Sequence, residues 1–139
     1  MAAKARHGAT DLPVRPGEEP WTDEDVASVR AQLEAEITGL SAEISQAESE
    51  IAERLGDAVG DAGDDQADAG AKTFQREHEL ALTQNARELL AQSERALARI
   101  ADGSFGVCES CGEPIGKARL EANPRATLCV TCKQREERR

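Results

Sequence analysis

Four cysteines constrain this chain more than any other feature. They stand at Cys108, Cys111, Cys129 and Cys132 within CESCGEPIGKARLEANPRATLCVTC, a C-x2-C-x17-C-x2-C pattern. Each C-x2-C pair lets two thiolates converge on one tetrahedral ion, and four thiolates suit one closed, structural Zn²⁺. Gly112, directly after Cys111, permits the tight backbone turn of such a knuckle. Four sulfur ligands leave no open position for water, which argues against hydrolysis at the metal. Two disulfides or a redox C-x-x-C pair are the alternatives. The chain carries no export signal, so a cytoplasmic protein with reduced thiols is expected. A redox pair normally sits beside a βαβ pattern, which is absent here. A lobe of under about 40 residues folds poorly without such a staple.

The remainder of the 139 residues reads as helix. Two Phe, one Trp and no Tyr offer little for a compact core, whereas Leu, Ile and Val recur along charged segments. After Thr22 as N-cap, apolar positions fall at Val26, Val29, Leu33, Ile37, Leu40, Ile44, Ala47, Ile51 and Leu55. Spacings of three and four residues place them on one stripe of a helix roughly 50 Å long. A second pattern runs from near Ala71 to Ala101, with Phe74, Ala81, Leu82, Leu89, Ser93, Ala96, Leu97 and Ile100 on its stripe. Asn85 lies in that stripe as a register-fixing polar residue, and Gly103 supplies the stop. Two such helices joined by a modest loop predict an antiparallel hairpin. The fold class is therefore mainly α: a long coiled-coil helical hairpin over 22–102, with an acidic tip at 57–70, and a four-cysteine lobe with a short tail over 103–139. Residues 1–21, rich in Pro, Gly and mixed charge, read as a disordered tail, with Trp21 placed to act as a hydrophobic staple at the hairpin base.

Charge is concentrated rather than spread. Residues 22–70 hold 14 acids against Arg30 and Arg54, a balance of −12, while the rest holds 13 acids and 15 bases. So acidic a helix repels a nucleic-acid backbone. The finger's own charges balance, with Glu109, Glu113 and Glu121 against Lys117, Arg119 and Arg125. A GATA-like DNA-binding finger remains the rival reading, and a coiled-coil adaptor a third, but a major-groove reader calls for a more basic face. No run of eighteen apolar residues is present to span a membrane.

Together with the hairpin, the stretch GSFGVCESCGEPIGKARLEANPRATLCVTCK resembles the DksA/TraR family of bacterial transcription regulators. The resemblance lies in Phe105-Gly106, Cys108-x-x-Cys111-Gly112, Ile115, Arg119-Leu120-Glu121-Ala122, Pro124 and Leu128-Cys129, and it covers roughly residues 22–133. It implies a non-enzymatic protein that binds RNA polymerase rather than DNA, with the hairpin in the secondary channel and a tip motif D-x-x-D-x-A near the catalytic centre. By the same alignment the tip aspartates are Asp65 and Asp68, within GDAGDDQADAG, and the alanine position is Gly70. Three basic positions that contact the alarmone ppGpp in the family fall on Gln92, Asn123 and Lys133, and only Lys133 keeps a charge. The resemblance thus implies a weak link to the stringent response, with Lys133 as the remaining alarmone contact.

Overall fold

The computed structural model describes the backbone over residues 9–58 and 66–138, and side chains over 9–56 and 69–138. Among the described residues four α-helices follow a short 3-10 turn at Ala9–Asp11: α1 (Asp23–Ala58), α2 (Gln66–Asp102), α3 (Lys117–Ala122) and α4 (Val130–Glu137). The chain divides into two units, one made of residues up to Glu36 with Gln92 onward, the other of Ile37–Ala91. None of the described helices is long and apolar enough to cross a membrane.

In the first unit the start of α1 pairs antiparallel with the end of α2. Thr22 and Asp25 form a reciprocal capping box: the Asp25 N–H donates to Thr22 Oγ1 at 3.1 Å and the Thr22 N–H to Asp25 Oδ2 at 3.0 Å. Val29 and Leu33 of α1 are buried with Ala96 and Ile100 of α2, and Phe105, Ile115 and Leu120 extend this core into the cysteine-bearing segment. Ser93, fully buried in the same unit, donates to Glu36 Oε2 at 3.3 Å, and Arg125 pairs with that carboxylate at 3.5 Å. Helix α2 ends as predicted: Gly103 takes φ 82°, and the Ser104 N–H returns to the Arg99 carbonyl at 3.0 Å in a Schellman arrangement.

Residues 9–21 correct the expectation of a disordered tail. Leu12 and Trp21 are buried in the core of the first unit, and the Trp21 ring meets Phe105 edge-on, with centroids 5.8 Å apart. Composition misled because the ordering groups lie far away in sequence; residues 1–8 lie outside the described residues.

In the second unit the predicted α1 stripe holds from Ile37 to Ile51, with Ile44 buried. The predicted α2 stripe does not. Phe74 and Leu82 are 75% and 54% exposed, and Ala81 and Asn85 are also exposed, so Asn85 fixes no register. The seam instead takes Thr83 and Ala86, both buried. Thr83 enters at little cost because its hydroxyl donates to the Glu79 carbonyl at 2.9 Å. Salt bridges Arg54–Glu79 and Arg87–Glu48 (2.8 Å) cross between the two antiparallel helices.

Candidate functional site

The four cysteine Sγ atoms lie within 4.8 Å of one another, the arrangement of a tetrathiolate metal site. Two knuckles bring them there. In the first, the Cys108 N–H donates to Glu113 O at 2.9 Å and the Gly112 N–H returns to Cys108 O at 3.0 Å, with Gly112 at φ 79°, a backbone region that side chains other than glycine's rarely adopt. A single antiparallel bridge, Val107 to Pro114, closes this turn. In the second, Cys129 is the N-cap of α4 and accepts from the Cys132 N–H at 3.5 Å. Helix α3 spans the interval between the knuckles. Its Leu120 is fully buried, and Arg119 Nε donates to Leu128 O at 3.0 Å, tying the helix to the second knuckle. The Arg99–Glu109 ion pair, 2.6 Å, holds the first knuckle to the end of α2.

The electrostatics of the cluster call for a cation. Burial works to raise the Cys108 thiol, but backbone N–H groups of Cys111, Cys129 and Ser110 and the Cys111 side chain outweigh it and hold it at about 6. Cys132 is pushed the other way, to about 11: the Ser110 hydroxyl works to lower it, and Cys129, burial, Cys108 and Cys111 prevail. A thiolate forms readily at Cys108, while Cys111 and Cys132 are pushed the other way. A divalent ion at the centre removes that conflict, and one structural Zn²⁺ fits the donor set.

A second constellation, missed from sequence, clamps residues 13–25 onto the finger. The Glu18 carboxylate accepts from the Arg15 N–H (2.7 Å), the Lys117 N–H (3.0 Å) and the Ala118 N–H (3.1 Å). It thereby caps α3, whose own N-cap, Gly116, has no side chain to offer. Lys117 Nζ pairs with Asp25 at 2.7 Å and sits 5.9 Å from the Trp21 ring centroid, and Trp21 Nε1 donates to Pro13 O at 3.3 Å. The one available signal was the chain's sole Trp, a residue seldom placed in a solvated tail.

This clamp carries a pH dependence. Burial works to raise the Glu18 carboxyl, and the N–H bonds of Ala118, Arg15 and Lys117 with the Arg15 charge outweigh it, leaving it below its ordinary 4.5. The Lys117 ammonium, through its hydrogen bond, lowers Asp25 as well. Both carboxylates bind protons more weakly when folded, so their stabilisation is complete above the unfolded values and is lost as pH falls through the folded ones. Acid titration followed by Trp21 fluorescence should therefore show loosening of residues 13–25 below about pH 4, and Glu18→Gln should lose the Glu18 part of that dependence while weakening the clamp at neutral pH.

Of the predicted tip residues, Asp65 lies outside the described residues, and Asp68 is in the first turn of α2 with its side chain outside them. Gly70 is exposed within α2, and a Cβ added there would meet nothing within 4 Å, so packing does not require the glycine. Gln92, Asn123 and Lys133 are all exposed on the first unit.

Fold and site together define a class: paired long helices with a C4 zinc lobe. The family described as the prokaryotic dksA/traR C4-type zinc finger matches residues 103–138. The RNA polymerase-binding transcription factor DksA of Caulobacter vibrioides is 51% identical over 61 residues, 44% of this chain and 43% of that protein. The protein of the same name from Escherichia coli K12 is 47% identical over 55 residues, 40% of this chain and 36% of that one. These matches thus span less than half the length of the curated relatives. The structure of transcription factor DksA2 from Pseudomonas aeruginosa aligns with TM-score 0.68 at 32% identity, covering 84% of this chain and 85% of that one. That of the RNA polymerase binding protein and transcriptional regulator Dks from Chlamydia trachomatis aligns with TM-score 0.51 at 27% identity, over 86% and 94%. The chain belongs to the DksA/TraR family.

Proposed function

We propose that this chain is a non-enzymatic regulator that binds RNA polymerase and modulates transcription initiation, entering the secondary channel with the segment that joins α1 to α2 and presenting Asp65 and Asp68 there. The observation that carries this reading is that 84% of this chain aligns with 85% of transcription factor DksA2 from Pseudomonas aeruginosa at 32% identity. Carboxylates beside a catalytic centre that holds Mg²⁺ and anionic substrate act on metal occupancy or on the lifetime of the open complex. The zinc lobe, with Cys108, Cys111, Cys129 and Cys132 as ligands, contributes folding and a docking surface. Its four sulfurs leave no coordination position for substrate. Purified chain mixed with nuclease-treated polymerase should form a complex that survives gel filtration. A complex that nuclease dissolves, or tight binding of the finger to one DNA sequence over others, would instead support the GATA-like reading.

The same reading makes the response to ppGpp weak. Gln92 and Asn123 offer neutral amides where cations would meet the anionic ligand, and Lys133 alone is charged. Each lost charge-assisted contact typically removes about 1.5–3 kcal/mol. A ppGpp titration of the polymerase complex should give little added effect on transcription. Tight binding abolished by Lys133→Ala would sink this part of the proposal.

A further inference from the structure

Residues 13–18 cross the metal-binding lobe at both ends of its first knuckle. A Cβ at Gly106 would stand 3.5 Å from Pro13 Cγ, and one at Gly116 would stand 2.9 Å from Arg15 Cδ. Both glycines have positive φ, 95° and 114°, so the lobe offers bare backbone at the two points where this strap lies on it.

From Gly116 the strap reaches α3. A helix of six residues is too short to hold itself, and this one is gripped from outside at its first turn. Glu18 accepts the Lys117 and Ala118 N–H groups, and the Lys117 ammonium pairs with Asp25. At its other side α3 steadies the second knuckle. Arg119 Nε donates to Leu128 O at 3.0 Å, one residue before Cys129, and the Glu109 N–H donates to Thr127 O at 2.9 Å. The first bond ties the approach to Cys129 to α3, and the second ties it to the first knuckle. Cys108 and Cys132 are buried, whereas Cys111 is exposed and Cys129 half-buried, their Sγ atoms 3.8 Å apart. A competing ligand therefore meets the cluster on the Cys111–Cys129 side.

We infer that residues 13–18 are a lock on the zinc. By fixing the first turn of α3, Glu18 keeps Arg119 where it steadies Cys129, and so sets how fast the metal is lost. Glu18 is a positioning residue: it acts through α3 rather than on a cysteine. Linkage requires the relation to run both ways, so a strap that the metal helps to order must in turn help to retain the metal. The inference does not depend on polymerase binding.

The test is the rate of zinc transfer from the full chain to a saturating chromogenic chelator at neutral pH, with Co²⁺-loaded samples read by absorption. Glu18→Ala should release zinc about tenfold faster than wild type and keep a Co²⁺ tetrathiolate spectrum, because the ligands are unchanged. Glu18→Gln keeps an oxygen for the Arg15 and Lys117 N–H groups, which both donate to Oε1, and loses the bond from Ala118 to Oε2. Its rate should lie between those of wild type and Glu18→Ala. Arg119→Met retains a good helix former and should also release zinc faster. Adding Glu18→Ala to it should change the rate by no more than about twofold, since two links of one relay do not add. Ile44→Ala, buried in the second unit, weakens the paired helices and should leave release within about twofold of wild type, because the lobe opens locally.

Release from Glu18→Ala within about twofold of wild type overturns the lock. So do effects of Glu18→Ala and Arg119→Met that multiply in the double variant, which would separate Glu18 from the second knuckle. Ile44→Ala as fast as Glu18→Ala overturns it too, by reducing the effect to general stability. Should Glu18→Ala fail to take up Co²⁺ as a tetrathiolate, Glu18→Gln is judged against wild type and Ile44→Ala by the same criteria.

Discussion

Removal of zinc should unfold residues 103–138 and expose Trp21 in the same step. The large apolar side chains that this segment buries are Phe105, Ile115 and Leu120, too few to hold a lobe of this size without a cross-link. What organises the rest is the metal: both knuckles and α4 are defined by cysteines that must converge within 4.8 Å. Structural zinc binding of this kind is linked to folding with apparent free energies of about 10–16 kcal/mol in finger peptides near neutral pH. Because Trp21 packs on Phe105, its fluorescence reports the lobe directly. Chelation, or Cys129→Ser with Cys132→Ser, should shift that emission toward the solvent-exposed value while much of the signal from α1 and α2 persists. Metal analysis should find one zinc per chain before treatment. Unchanged Trp21 emission in metal-free protein would show that the lobe stands without zinc.

The second large effect falls on Trp21 itself. Its side chain is fully buried, meets Phe105 edge-on at 69°, donates to Pro13 O and lies beneath the Lys117 ammonium. Trp21→Ala removes the largest side chain of the core and leaves a cavity that the helices cannot collapse to fill. The expected loss is about 3–5 kcal/mol, read from urea denaturation followed by circular dichroism. Trp21→Phe keeps a ring against Phe105 and should lose less. A cost for Trp21→Ala below about 1 kcal/mol would mean that residues 9–21 do not belong to the core.

These two residue sets also show what could be read from the chain in advance. The cysteines were legible because tetrahedral coordination fixes ligand type and spacing within short segments. Phe105, Ile115 and Leu120, the family-like positions between and beside them, prove to be the core of that lobe. Helix α1 was legible from its period. The α2 seam was not, because that helix is rich in Ala and carries two apolar faces. Phe74 and Leu82 made the more hydrophobic face, yet Thr83 and Ala86 are what α1 covers, since small side chains admit close approach. The clamp was illegible for a different reason: Glu18 reaches Lys117 and Ala118 across 99 and 100 residues, and no local pattern records so distant a partner. Asp65 and Asp68 stay a reading from resemblance, placed in or beside the first turn of α2.

The central claim is that those two carboxylates act on polymerase, and in vitro transcription with Asp65→Asn/Asp68→Asn measures it most directly. The variant should still bind the enzyme, because both substitutions keep side-chain size, lie outside the zinc lobe and alter no helical residue beyond the first turn of α2. Its effect on initiation at regulated promoters should drop by about tenfold or more, as removal of an electrostatic contact near a reacting centre typically does. A variant that binds polymerase and shifts initiation to the same extent as wild type would contradict the claim.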